Sequence, residues 1–154
     1  MRTVDRATAR APRDRVFAVA ANVERWPAIL PHYRWVRFLE RHPTGGMTGG
    51  MVEMAAWRPF GPVGWPTWWV SEMELDPVGR RVRYRHIRGI TTGMDVEWRV
   101  DGRDGEARVE IVHEWPGPRW PLIGGLAARA VIGPVFIHGI ASRTLAGVCR
   151  EAER

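Results

Sequence analysis

Six side chains carry the chemistry this sequence offers: His86, His113, His138, Tyr33, Tyr84 and Ser71. A neutral imidazole beside a bound organic molecule can act as general base and then acid, because its pKa lies near working pH. Each histidine has a second reading, as a wall residue satisfied by a backbone carbonyl. The phenols and the serine hydroxyl suit the orienting of a ligand hydroxyl or carbonyl, as a few polar groups in an apolar pocket commonly do; plain wall packing is the alternative. Ser71 lacks a G-x-S-x-G elbow and a nearby acid–base pair, so a nucleophile is not expected there. The three histidines stand 27 (86 to 113) and 25 (113 to 138) residues apart, without a short ligand pair such as His-x-x-x-His. Neither a metal nor an organic cofactor is expected. All 23 basic residues are arginine. With no lysine, Schiff-base chemistry on a carbonyl substrate is excluded.

The elements that must position these groups follow from periodicity. Residues 2–10 read as a first strand. Pro12 opens a helical segment whose apolar face is Val16, Phe17, Val19, Ala20 and Val23, and a second short helix runs to Leu30 and stops at Pro31. Strands are expected over Tyr33–Glu40, Met51–Arg58 and Trp68–Leu75. A turn region separates the first two at His42–Gly50, and a loop at Pro59–Pro66 separates the last two. In the next strand Val82, Tyr84, His86 and Arg88 share one face, and Arg81, Arg83, Arg85 and Ile87 the other. Met94, Val96, Trp98 and Val100 alternate with polar residues, as do Ala107, Val109, Ile111, His113 and Trp115, giving a hairpin with one wet face. From Pro121 to Glu153 the period becomes helical, with Ile123, Ala127, Val131, Ala141, Leu145 and Val148 on one stripe and a kink or break at Gly133-Pro134. Strands followed by a terminal helix indicate an α+β fold. The expectation is a curved antiparallel sheet of six to seven strands around a long C-terminal helix, with two short helices after strand 1, all in one domain over 1–154.

The chain of 154 residues is long enough to bury roughly 70% of its unfolded surface. Its one cysteine, Cys149, excludes an intramolecular disulfide and fits a cytoplasmic setting. The N-terminus lacks the apolar core of a signal peptide. The mostly apolar stretch Leu122–Ile140 is interrupted by Arg129, Pro134 and His138, so no stable membrane insertion is expected. The net charge is +6. Five arginines crowd residues 80–88, yet no nucleic-acid-binding signature accompanies them, and no nucleic acid is expected. Nine tryptophans are many for one small core; they suit aromatic walls around a hollow, or an interface. Trp98 and Trp115 fall on inward faces, whereas Trp65, Trp68 and Trp69 cannot all do so, because neighbours on a strand alternate.

Several of these motifs together resemble the polyketide cyclase/dehydrase branch of the START-like (SRPBCC) superfamily, which has the helix-grip fold. They are Ala11-Pro12-x-x-x-Val16-Phe17 into Val23-Glu24-x-Trp26-Pro27, then Tyr33, Trp69-Val70-Ser71 and Gly93-Met94-x-Val96-x-Trp98. The resemblance implies a cavity with Trp26 and Tyr33 at its mouth or wall, and Trp69, Ser71, Met94 and Trp98 pointing inward. It places His86 where such enzymes can hold a basic side chain. It also exposes a departure: the cyclases' substrate-holding arginine, two residues after the strand serine, is Met73 here. The first expectation is therefore a binder of a hydrophobic or aromatic small molecule, polyketide, lipid or quinone-like. Its ligand contacts would be Trp26, Trp69, Met73, Tyr84, Met94, Trp98, His113 and His138. The second is an aromatase/cyclase or dehydratase, with His86, Tyr33 and Ser71 as the catalytic groups. A homodimer stays open as a further partner.

Overall fold

The computed structural model describes residues 1–60, 63–117, 135 and 137–154. Strand β1 (Arg2–Ala9) leads into helix α1 (Arg13–Ala21), a short 3₁₀ turn (Val23–Arg25) and helix α2 (Trp26–Ile29). Six strands follow: β2 (Tyr33–Thr44), β3 (Met47–Phe60), β4 (Val63–Asp76), β5 (Arg81–Gly89), β6 (Asp95–Arg103) and β7 (Glu106–Glu114). Helix α3 (His138–Glu153) closes the chain. The strands form one antiparallel sheet in the order β1-β7-β6-β5-β4-β3-β2, and the helices lie on its inner face. This is the helix-grip arrangement.

Local chemistry explains the elements. Pro12 sits just before α1, where its missing N–H costs nothing, and its carbonyl accepts from Arg15 and Val16 N–H at 3.0 and 3.1 Å. Pro27 takes the second position of α2 for the same reason. In β6 and β7 the alternation holds as far as Ile111: Val96, Trp98, Val100, Ala107, Val109 and Ile111 are buried, and Asp95, Asp101 and Arg108 are not, while at the end of β7 Val112 is buried as well and His113 is half-buried. On α3 the buried stripe is Ile140, Ala141, Thr144, Leu145, Val148 and Ala152. The expected earlier helical turns (Ile123, Ala127, Val131 and the Gly133-Pro134 kink) lie outside the described residues.

Two strand pairs run longer than the sequence suggests. The turn region His42–Gly50 shrinks to Gly45-Gly46, whose φ values of +56° and +79° make a tight two-residue hairpin. Pro43 is tolerated because β2 is an edge strand. The expected loop Pro59–Pro66 is largely strand, with Pro59 opposite Gly64 and Pro66 opposite Trp57. Both prolines fall where β3 and β4 have outrun their neighbours, so no ladder hydrogen bond is lost.

Gly89 ends β5 with φ +97°, and a Cβ there would meet the Trp68 carbonyl oxygen at 2.3 Å and Trp69 Cα at 2.7 Å. Neither backbone atom can swing away. Gly89→Ala is expected to cost about 2–4 kcal/mol from unfavourable φ and overpacking, measured as a lowered urea midpoint with unchanged m-value.

The arginine-rich face of β5 is not a bare cationic strip. Arg81, Arg83 and Arg85 pair across the sheet with Asp101, Glu97 and Asp95 at 3.3, 2.8 and 3.0 Å. Arg6 and Arg99 both reach Glu110, at 2.8 and 3.2 Å. Exposed pairs of this kind stabilise little, but they cancel the charge a polyanion would need.

Candidate functional site

The inward alternation of β3–β7 places one side chain after another against α2 and α3 and leaves a space of about 60 Å³ between them. Its described lining mixes aromatic rings with aliphatic side chains. Trp26 comes from α2, Tyr33 from β2, Trp69 from β4, Tyr84 and His86 from β5, Met94 and Trp98 from β6 and its approach, and His113 from β7. Thr144 and Ile140 of α3 face them. The rings support one another. Trp26 meets Tyr33 edge-on at 5.1 Å and Trp98 at 5.6 Å. Tyr33 meets Trp69 at 6.2 Å, and Trp69 stacks on His86 at 5.9 Å with 10° between planes.

Arg58, on β3, enters this space and was not singled out by the sequence reading. It is 4% exposed, and its guanidinium carbon lies 5.5 Å from the Trp69 ring centre. Its Nε donates to Thr67 Oγ1 at 3.3 Å, and that hydroxyl donates to the Ala56 carbonyl at 3.0 Å. Burial pulls its pKa down to about 10, opposed by Tyr33, so it stays charged at neutral pH. Among the described lining residues, Arg58 is the one that carries a formal charge. The signal was available in the sequence: Val52, Met54, Ala56 and Arg58 share one side of β3 by the strand's period of two.

Burial sets the electrostatics of the neighbouring rings, and the arginine adds a smaller effect on His86, His113 and Tyr33. Burial first, then His113 and Arg58, push His86 down to about 3. Burial and then Arg58 push His113 to about 3 as well. Both imidazoles are therefore neutral at pH 7. The Nδ1 of His86 is 2.5 Å from Thr91 Oγ1. Burial raises Tyr33 to about 12, against the Thr144 hydrogen bond and Arg58, and raises Tyr84 too. Five buried polar atoms have no hydrogen-bond partner among the described residues; Tyr84 Oη and His113 Nδ1 belong to lining residues, and Ser71 Oγ, Thr3 Oγ1 and Asp5 Oδ2 lie elsewhere. Buried polar groups are nearly always partnered, so such atoms call for an explanation.

The structure brings together most of the residues expected at the site and removes three from its lining. Ser71 is fully buried opposite His86 in the β4–β5 ladder but does not line the cavity. Met73 is a packed core side chain. His138 is the clear correction: its side chain is 67% exposed and bonds through Nδ1 to Asp5. One residue along a helix is a turn of about 100°, and Ile137 takes the inward position instead. Another unanticipated histidine, His32, bonds through Nε2 to Thr144 Oγ1 at 2.9 Å, directly behind the cavity wall.

Residues 10–135 match the family described as polyketide cyclase/dehydrase and lipid transport, and the chain belongs to that family. Among curated proteins it resembles the actinorhodin polyketide synthase bifunctional cyclase/dehydratase of Streptomyces coelicolor, with 28% identity over 127 residues. That similarity covers 81% of this chain and 38% of the relative, so the chain spans well under half of it. Among solved structures, the Zhui aromatase/cyclase from Streptomyces sp. R1128 superposes with a TM-score of 0.81 at 25% identity, covering 100% of this chain and 94% of that one. A START superfamily protein from Mycobacterium smegmatis shares the fold at 10% identity and a TM-score of 0.72, covering 97% of this chain and 98% of that one.

Proposed function

We propose that this member of the family binds an aromatic or polyketone small molecule whose oxygens face Arg58, Tyr84 and His113. The observation that carries the reading is a buried guanidinium beside two buried polar atoms, Tyr84 Oη and His113 Nδ1, that have no partner among the described residues, in a wall rich in tryptophan. A carbonyl, enol or carboxylate oxygen would accept from the arginine and the phenol. The rings of Trp26, Trp69 and Trp98 would hold the apolar body by stacking. At about 60 Å³ the space admits a few waters, each needing roughly 10–15 Å³. A ligand therefore enters by moving wall side chains, and its arrival should change tryptophan emission. In a fluorescence titration with hydroxylated naphthoquinones and anthraquinones, saturable quenching is the expected result. A linear, non-saturating response across that panel would reject the reading.

The aromatase/cyclase reading is second, and one observation favours it: Arg58 supplies, from β3, the inward guanidinium that Met73 does not supply from β4. Such a cation beside a ketone stabilises the enolate formed when an α-proton leaves. The proton acceptor is the weak point. An effective general base has a pKa near the working pH, and both cavity histidines lie far below it. With a poly-β-ketone thioester, His86→Ala should leave binding in place and abolish cyclisation if His86 relays the proton. Unchanged turnover would remove that role.

A further inference from the structure

We propose that the β3–β4 ribbon docks this protein on a negatively charged bilayer surface. The ribbon projects: β2 pairs with β3 no further than Ala56, and β5 with β4 no further than Trp69. Beyond those points the two strands pair with each other, and among the described residues Trp57 N–H alone reaches back, donating to the His32 carbonyl at 2.7 Å. On this projection sit Trp57, Trp65 and Trp68, which are 43%, 60% and 40% exposed. They occupy both sides of the ribbon. Trp65 stands opposite Arg58 on one side, while Trp57, opposite Pro66, falls on the other by alternation. A flat protein partner covers one side of a ribbon. The headgroup layer of a membrane surrounds it, and indoles favour that layer.

Charge at the same end selects the kind of surface. Arg34 lies over the Trp57 ring at 4.8 Å. Arg143 and Arg150 of α3 share with Trp57 the wall of an open groove of about 420 Å³, whose described lining holds no carboxylate. None of these three arginines joins an ion pair among the described residues, whereas the arginines on the β5 outer face do. The uncancelled positive charge and the exposed indoles thus coincide. A second copy would bring like charge to like, so self-association is disfavoured. Docking here is peripheral: among the described residues, no helix is long and apolar enough to cross a membrane.

Flotation with vesicles of phosphatidylcholine and phosphatidylglycerol in equal parts, against pure phosphatidylcholine, tests the proposal. The full chain should float with the mixed vesicles, and its emission should shift to the blue. Trp65→Ser should weaken that binding several-fold. Arg143→Ser with Arg150→Ser should weaken it by roughly 25-fold, about fivefold for each charge near an anionic surface, and added salt should act the same way. Failure to float with mixed vesicles overturns the proposal, including the case where an acidic protein is the true partner. So does binding that both variants leave intact, or a solution dimer that dissociates on Trp65→Ser.

Discussion

Replacing Arg58 by methionine is expected to weaken ligand binding by about 10- to 150-fold while leaving the fold as stable as before, or more stable. The first half follows from the 1.5–3 kcal/mol that a hydrogen bond to a charged group typically contributes. The second follows from the cost of holding a guanidinium at 4% exposure, which burial already expresses by lowering its pKa. Thr67 Oγ1, which accepts from Arg58 Nε, keeps its own donation to the Ala56 carbonyl when the guanidinium is lost, and the methionine chain refills most of the space. The two readouts must therefore move apart: a weaker dissociation constant by fluorescence titration, and an equal or higher melting temperature. Arg58→Lys should rescue little, because an ammonium cannot reproduce the planar fork of donors. Equal affinity in the wild type and Arg58→Met would show that the ligand's oxygens lie elsewhere. A large drop in melting temperature would show that Arg58 is mainly structural.

Acid should unfold this protein well above the pH at which its carboxylates alone would do so. Burial holds His86 and His113 down to about 3, and burial with Arg143 nearby holds His32 to about 4. The sign is set by the unfolded chain, where each of these groups titrates near 6.5. Below that value the unfolded chain takes protons that the folded one refuses, so stability falls with pH and keeps falling until the folded pKa values are reached. The slope reaches about 1.4 kcal/mol per pH unit for each of His86 and His113, hence roughly 3 for the two, and His32, which solvent screens more, adds less. A domain stable by 5–15 kcal/mol then loses its fold within a few pH units below 6.5. Urea melts at pH 7, 6 and 5 should show the midpoint dropping steeply. His113→Leu removes a ring whose Nδ1 has no described partner, and should lower that slope by about a third to a half. Stability that stays flat from pH 7 to 5 would contradict the burial of these rings as neutral species.

What the sequence revealed, and what it hid, has a physical pattern. Faces were legible wherever strict alternation held. Trp98, Tyr84, His86 and His113 could be aimed inward because each has a buried Val, Ile or aromatic residue two positions away on its strand. Strand ends were less legible, because Gly45-Gly46 serves a tight hairpin and Pro59 and Pro66 sit where no neighbouring strand needs their N–H. His138 was misplaced because helical position changes by about 100° per residue, so a small error in phase turns a side chain from wall to solvent. Arg58 was overlooked for the opposite reason. The densest cationic signal in the sequence is the arginine run of β5, which the structure neutralises with Asp101, Glu97 and Asp95. The lone arginine that follows Met54-Ala55-Ala56-Trp57 entered the site.

Native mass spectrometry of the protein purified from its own host tests the central claim most directly. The account predicts one bound species, released on unfolding, with the mass and absorbance of an oxygenated aromatic or polyketone compound, and much reduced in Arg58→Met. Bare wild-type protein, or the same compound retained equally by Arg58→Met, would contradict it.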